Sequence, residues 1–403
     1  MEKLLKKILR KMNLLKSKKK VCFVTGSRSE YGLLRNILIP LKKEKTISSK
    51  LIVTGSHLLK QYGNTSNEIL RDKIKIFKKI KISKKNDNPG EITKIATQII
   101  NGLTNIFKRY KPDLIVVLGD RYEIFVTCYV ATIFKIPIAH ICGGEETLNS
   151  YDNQFRHAIT KMSHIHFATT NTYKNKILKM GENSKNVFNY GSLAFSNLKN
   201  RKFKNKYELE KKYKIKFKKE NFLITFHPET IDNTNLLKNI DKIFNVFTHS
   251  SFSQCSFIFT ASNNDHDGGK INAKILRFVN VNKNSYFIHS FGQDDYFSML
   301  KNISGVIGNS SSGIIEVPSF KIGTINIGTR QQGRIFAKSV INCSFEANDV
   351  KKNIKKIISK KFRSNIKDLI NPYYKKDTSK KIKKILIKIN LKKILFKTFK
   401  IKK

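Results

Sequence analysis

The chain has 403 residues, of which 40% are hydrophobic, and 79 Lys and Arg stand against 29 Asp and Glu for a formal net charge of +50. That length suits two domains with real cores, while the absence of any apolar run of about 18 residues argues against a membrane-spanning helix. The excess is mostly lysine spread along the whole chain, with no helix-turn-helix, RNP-like or zinc-finger pattern, so compositional drift explains it better than a nucleic-acid partner.

Residues 1–20 carry nine basic residues and one acid, and Leu4, Leu5, Ile8, Leu9, Met12 and Leu15 recur at helical spacing. This extension, taken as residues 1–19, lacks an apolar h-region and a cleavage site, so it is not a signal peptide. It reads either as a basic amphipathic helix for an anionic membrane face or as a solvated tail. VCFVTG (21–26) reads as a strand ending in a glycine turn, with a helix from about Tyr31. KLIVTGSH (50–57) is a second strand, 91–110 a helix, PDLIVVLGD (112–120) a strand, and a helix from Tyr122 leads to a strand at IPIAHI (136–141). Strands alternating with helices predict a parallel sheet covered on both faces.

A lysine-rich stretch at 197–220 interrupts this pattern. It restarts with strands at 221–229, 254–262, 285–291, 304–310 and 322–328. The expected fold is α/β, with two Rossmann-like doubly wound domains (20–195 and 196–370) facing across a cleft. A C-terminal helix and basic tail (371–403) follow. Residues 380–403 contain eleven lysines and no acid. The five cysteines are scattered without a CxxC pair, which suits reduced thiols in a cytoplasmic protein and no zinc site.

Ligands of such sheets bind beyond the carboxyl ends of the strands. In GVIGNSSSGIIEVPS (305–319), a helix start with Ser310, Ser311 and Ser312 before Gly313 suits a phosphate; ordinary serine capping is the alternative. Glu316, about one turn on, could accept from ribose hydroxyls. Arg330 and Arg334, with Arg28 from the first half, offer guanidinium forks for phosphate. Asp120 in GDRYE ends a strand and reads as an acid–base group or as a cap paired with Arg121. Asp152 and Arg156 are four apart and share a helix face, which predicts an ion pair between them. Gly143 and Gly144 just upstream would let backbone approach a ligand.

TGSRSEYGLL, TGSHLLKQYGNT, GDRYE, HICGGEE, DNQFRHAITKMSH, FHPET, GNSSSGIIEVPS and INIGTRQQGR resemble, in order, the motifs of hydrolysing UDP-N-acetylglucosamine 2-epimerases of the sialic-acid type. The resemblance runs from about residue 20 to 340. It implies a GT-B arrangement, a C-terminal helix crossing back to the first domain, UDP held mainly by the second half, and no metal or redox cofactor. It also implies elimination of UDP across C1 and C2 of the sugar, then hydration of the glycal. By resemblance, Asp120 and Asp152 are the catalytic acids, His227 the catalytic histidine and Arg156 the residue beside them. Arg28, His57, His289, Ser310, Ser311, Glu316 and Arg330 match nucleotide- or sugar-binding positions.

Cys142 stands where relatives carry a glutamate or histidine, and a thiol is a poor base at neutral pH. Either Glu145 or Glu146 takes that role, or Asp120 and Asp152 share the work. Parts of the sequence also resemble the branch acting on the UDP sugar of N,N'-diacetylbacillosamine. A GT-B glycosyltransferase and a basic nucleic-acid-binding protein are the rival readings. A homo-oligomer, dimer or tetramer, is expected.

Overall fold

LIVVL at 114–118 is buried at every position, as a parallel strand covered on both faces must be. A computed structural model describes residues 18–59, 65–83, 88–148, 150–196, 198, 201–229, 234–262 and 267–399. The first sheet comprises β1 (Lys19–Thr25), β2 (Ile47–Val53), β3 (Ile76–Lys79), β4 (Leu114–Leu118), β5 (Ile138–Ile141), β6 (Ile165–Ala168) and β7 (Val187–Asn189). Its helices are α1 (Arg28–Lys42), α2 (Ser66–Arg71), α3 (Pro89–Tyr110), α4 (Tyr122–Ile133), α5 (Asp152–Met162) and α6 (Asn171–Lys179). After α7 (Lys206–Tyr213) the second half runs β8 (Glu220–Thr225), α8 (Thr234–Phe247), β9 (Cys255–Thr260), α9 (Gly268–Val281), β10 (Ser285–Ile288) and α10 (Gly292–Asn302). It continues with β11 (Gly305–Gly308), α11 (Ser311–Ile315), β12 (Gly323–Ile327) and β13 (Val340–Cys343). The chain ends in α12 (Ala347–Ile358), α13 (Lys360–Asn365), α14 (Thr378–Lys388) and α15 (Leu391–Ile394).

The strand orders are β3-β2-β1-β4-β5-β6-β7 and β10-β9-β8-β11-β12-β13. Neighbours in both sheets pair in parallel, including β1 with β4 and β8 with β11. Each sheet therefore reverses its direction of growth once, between β1 and β4 and between β8 and β11. Such switch points open a crevice at the carboxyl ends of the strands. The two-domain doubly wound expectation holds, and β3, β6, β7 and β13 are additions to it. They escaped because they are short, three or four residues, and mix polar with apolar side chains: β3 is the half-exposed edge strand IFKK, and β6 is IHFA.

Helix signals are equally local. In α3, Ile95, Ile99, Leu103 and Phe107 repeat every four residues and are the buried positions. Each such side chain contributes roughly 1.5–3 kcal/mol of burial. Asn88 caps this helix by accepting from the Glu91 N–H at 2.8 Å. The first helix begins at Arg28, three residues before the expected Tyr31, because Ser27 supplies the cap.

The C-terminal segment does cross back. Ile382 and Leu386 of α14 are buried in the first half's core with Val21, Leu34 and Leu38. Lys19 Nζ donates to the carbonyls of Leu386, Ile387 and Ile389 at 3.0, 2.9 and 3.0 Å, closing the end of that helix. Where the chain crosses, Tyr373 OH lies 3.1 Å from Tyr173 OH and donates to the Ile335 carbonyl at 3.1 Å. A small core of Tyr173, Ile177, Phe195, Ile314 and Tyr373 fills the junction.

Candidate active site

The strands flanking the two switch points deliver the polar residues. β1, β4, β8 and β11 are followed by Arg28, Asp120, His227 and Ser310, and all four line one cavity of about 480 Å³ between the sheets. Asp152, Arg156, Glu145, His289, Ser311, Ser312, Glu316, Arg330 and Arg334 line it too. Asp120 and Asp152 thus share one cleft with Ser311.

Arg156 is 1% exposed and organises the first wall. Its guanidinium forms an ion pair with Asp120. It also donates to the Glu145 carbonyl at 3.0 Å, Asn153 Oδ1 at 2.9 Å and Thr147 Oγ1 at 3.0 Å. The expected i,i+4 pairing of Arg156 with Asp152 is corrected: the arginine turns into the protein toward the end of β4. The reason is burial, since a desolvated guanidinium needs most of its five donors satisfied. Asp152 opens α5, and its carboxylate accepts from Ser150 Oγ at 2.9 Å. Burial alone would raise the pKa of Asp120, but Arg156, with Arg334 and Arg121, outweighs it and holds the carboxyl below its usual range.

Glu145 and Arg334 form a buried ion pair at 2.5 Å between the halves, and Thr169 Oγ1 donates to the other Glu145 oxygen at 2.7 Å. The arginine expected at phosphate and the glutamate expected at the sugar are therefore committed to each other. Burial works against the charge of Arg334, but Glu145 overcomes it and raises the arginine's pKa.

Glu146 does not line the cavity and is paired with Lys176 of α6. His57 also lies outside the lining. It is fully buried behind it, with its ring nitrogens 3.1 Å from Thr25 Oγ1 and 2.9 Å from Thr65 Oγ1. Burial pushes its pKa down to about 4. Gly313 faces β12, where its carbonyl accepts from Thr324 Oγ1 at 2.8 Å. Gly143 and Gly144 likewise serve packing instead of ligand approach. A Cβ on Gly144 (φ +74°) would meet the Tyr173 carbonyl at 2.6 Å, and one on Gly143 would meet His140 Nδ1 at 2.8 Å.

On the second wall, buried Asn309 clamps the β8 and β11 loops together. Its amide accepts from His227 N–H at 2.7 Å and donates to His227 C=O at 2.8 Å. Arg330 donates to the carbonyls of Asn309 and Pro228, each at 3.2 Å. Ser310 caps α11, and Ser312 hydrogen-bonds the Tyr296 hydroxyl. With only five residues in α11, hydroxyls and arginines offer more to an anion here than a helix dipole does. Glu316 has one buried carboxylate oxygen without a hydrogen-bond partner among the described residues, and burial lifts its pKa to about 7.

The profile of the UDP-N-acetylglucosamine 2-epimerase family matches residues 40–387. The chain belongs to this family. It is 40% identical over 385 residues to the GDP/UDP-N,N'-diacetylbacillosamine 2-epimerase (hydrolyzing) of Campylobacter jejuni, covering 95% of this chain and 99% of that one. It is also 40% identical over 359 residues to polysialic acid biosynthesis protein P7 of Escherichia coli, covering 89% and 91%. Among solved structures it is similar to S. aureus MnaA with UDP, at TM-score 0.76, 18% identity and coverage of 91% and 96%. The epimerase of Methanocaldococcus jannaschii with UDP-GlcNAc and UDP superposes at TM-score 0.75 and 20% identity, covering 91% and 99%. These likenesses establish the GT-B-like fold.

Three further groups of this epimerase, of which the sequence marked only Glu30 as a polar residue after the first strand, acquire a place at the site in the fold. Glu30 is 4% exposed yet borders the cavity. One oxygen accepts from Gly26 N–H at 2.7 Å, while the other has no hydrogen-bond partner among the described residues. Burial, then the neighbouring Glu123, raises its pKa to about 7. Buried Glu229 accepts from the N–H groups of Thr329 and Arg330 at 3.2 and 3.1 Å and so sets the Arg330 loop. Tyr296 positions Ser312. The acid after TGSRS was a visible signal for Glu30; nothing local marked Glu229 or Tyr296. Cys142 lines the cavity at φ +68°, and burial raises its thiol pKa well above the ordinary range, so it stays a neutral thiol. Among the described residues no three His, Cys, Asp or Glu side chains are grouped to hold a metal ion.

Proposed function

We propose that this epimerase hydrolyses a UDP-2-acetamido sugar with inversion at C2, and that UDP-N-acetylglucosamine is the substrate. The carrying observation is that one cavity holds Asp120, Asp152 and Arg156 on one wall and Ser310, Ser311 and Arg330 on the other. UDP lies on the second wall, its diphosphate toward Ser310, Ser311, Arg330 and Arg28, and its ribose on Glu316. His289 lies at the same wall. The acetamido sugar points at the acidic wall.

In the first step the C1–O bond to UDP breaks as the proton leaves C2, in an anti elimination that gives a 2-acetamidoglucal and UDP. In the second, water adds its oxygen to C1 and a proton returns to C2 on the opposite face, giving free N-acetylmannosamine. The C2 proton has no carbonyl beside it, so the barrier falls chiefly by stabilising positive charge on the ring and negative charge on UDP. Asp120, kept ionised by Arg156, faces the ring charge. Asp152 removes the C2 proton and releases it to solvent, while His227 across the cleft supplies the proton that returns to C2 on the opposite face and regains one from the added water. Arg156 is a positioning residue that aims Asp120. Glu145 is held by Arg334 and Thr169 and Glu146 faces Lys176. The division of labour between Asp120 and Asp152 is therefore preferred over a substitute glutamate for Cys142.

The relative at 40% identity that is a GDP/UDP-N,N'-diacetylbacillosamine 2-epimerase favours a second reading, the same chemistry on that 2,4-diacetamido sugar. The deciding experiment is proton NMR of the enzyme with each UDP sugar in deuterated water. Free 2-epimer carrying deuterium at C2, with equimolar UDP, is expected from UDP-N-acetylglucosamine. Turnover of the diacetylbacillosamine sugar alone moves the assignment to the second reading. Sugar transfer to an acceptor, or retained protium at C2, removes the elimination mechanism.

A further inference from the structure

The C-terminal tail lies on the face of the first half opposite the cleft. Its contacts are at the amino ends of the strands: Lys19 at the start of β1 closes α14, and Lys397 Nζ donates to the Lys161 carbonyl at the end of α5, just before β6. Lys397 Nζ pairs with buried Glu182 at 2.8 Å, which also binds Lys161 at 3.0 Å and His166 at 3.1 Å. These contacts fix the tail in place. They also fix what it presents. Phe396 is 86% exposed, the highest value among the described large apolar residues, and Phe399 is 58% exposed. The Phe399 ring is held at the surface with Lys161 Nζ 3.8 Å from its centroid. Lys388, Lys392 and Lys393, shortly before them in the chain, are exposed, and residues 380–403 hold no acid. Lys18, where the described chain begins, is exposed near the same end.

From this juxtaposition of two outward phenylalanines with acid-free lysines, we infer that this face docks on an anionic lipid surface, leaving the cleft open to water. Aromatic side chains enter the headgroup boundary while lysines meet anionic lipid. The charge complementarity favours lipid over the alternatives. A second copy of the same face would bring like charges together. A nucleic acid would be expected to meet arginine forks, and residues 380–403 contain no arginine. The basic N-terminal residues 1–17 lie outside the described residues and are not needed for the surface.

The test is co-sedimentation of the full chain with vesicles of phosphatidylcholine alone or with one-third phosphatidylglycerol. Binding to the anionic vesicles only is expected. Lys388→Glu/Lys392→Glu/Lys393→Glu should weaken it at least tenfold, since each lysine near such a surface is worth roughly fivefold. Phe396→Ser/Phe399→Ser should also weaken it several-fold at unchanged net charge. Lys352→Glu/Lys355→Glu/Lys356→Glu, on α12 of the second half, carries the same charge change and should bind like wild type. UDP release from the UDP sugar should be unchanged in all three, which shows that they fold. Equal losses from the tail and α12 triples would overturn the inference in favour of diffuse charge. So would tail-dependent binding of a single-stranded RNA oligonucleotide without vesicle binding, or a phenylalanine variant that changes only the oligomer mass by light scattering.

Discussion

Asp152 and Arg156 show how a charged side chain's partner decides its role. The arginine is spent on Asp120, which keeps that carboxylate ionised, while Asp152 stands at the open start of α5 toward the cavity. Asp152→Asn should cut turnover by about 10²–10⁴-fold, the usual worth of a general acid–base group. UDP should still bind; calorimetry with UDP and a UDP-release assay would separate the two, and near-normal turnover would remove Asp152 as proton carrier. Glu30 offers a pH prediction. Its pKa is about 7 in the fold against about 4.3 in an unfolded chain, so the native state keeps a proton that the unfolded state releases between those values. Its contribution to stability is complete below the unfolded pKa and is lost as pH rises through about 7. Melting temperatures measured from pH 5 to 8 should fall less steeply for Glu30→Gln than for wild type. An unchanged slope would show that Glu30 is already ionised.

At the scale of elements, the strand-to-loop corners matter most because each carries one polar residue into the cavity lining. Gly308 ends β11 at φ +132°, and a Cβ there would sit 2.0 Å from the Thr225 carbonyl. Gly308→Ala should therefore cost at least about 2 kcal/mol of stability and weaken UDP binding by moving Ser310, as chemical denaturation and calorimetry would show; a tolerated alanine would mean the corner is plastic. These corners were legible beforehand. Apolar runs of four to seven residues ending in Gly, Asp or Ser marked β1, β4 and β11, and the polar residues beyond them proved to line the cavity. The short strands β3, β6, β7 and β13 were not legible, since pairing by neighbours, not periodicity, makes them strands. The glycine pair at 143–144 was legible as special but not in its purpose, which is close packing on His140 and Tyr173.

For the whole molecule, the Glu145–Arg334 pair joins the two halves and is buried on both sides, at 5% and 9% side-chain exposure. Removing one partner strands the other charge. Arg334→Met should destabilise by about 3–5 kcal/mol, with a clearly smaller loss in Glu145→Gln/Arg334→Met. A double-mutant cycle by urea unfolding checks this; additive losses would deny the coupling. The returning helix α14 is a second tie, and Leu386→Ala should cost about 2–5 kcal/mol by opening the first core.

The order of the longer strands and helices, and the residues that follow those strands, came from local patterns of hydrophobicity and turn chemistry, which operate over a few positions. Pairings of charge were not. Arg156 reaches 36 residues back to Asp120 and Arg334 reaches 189 residues back to Glu145. The face on which the basic tail lies is also a product of packing across the molecule. A buried charge takes the partner that folding brings within hydrogen-bond reach, and chain spacing carries no record of that choice.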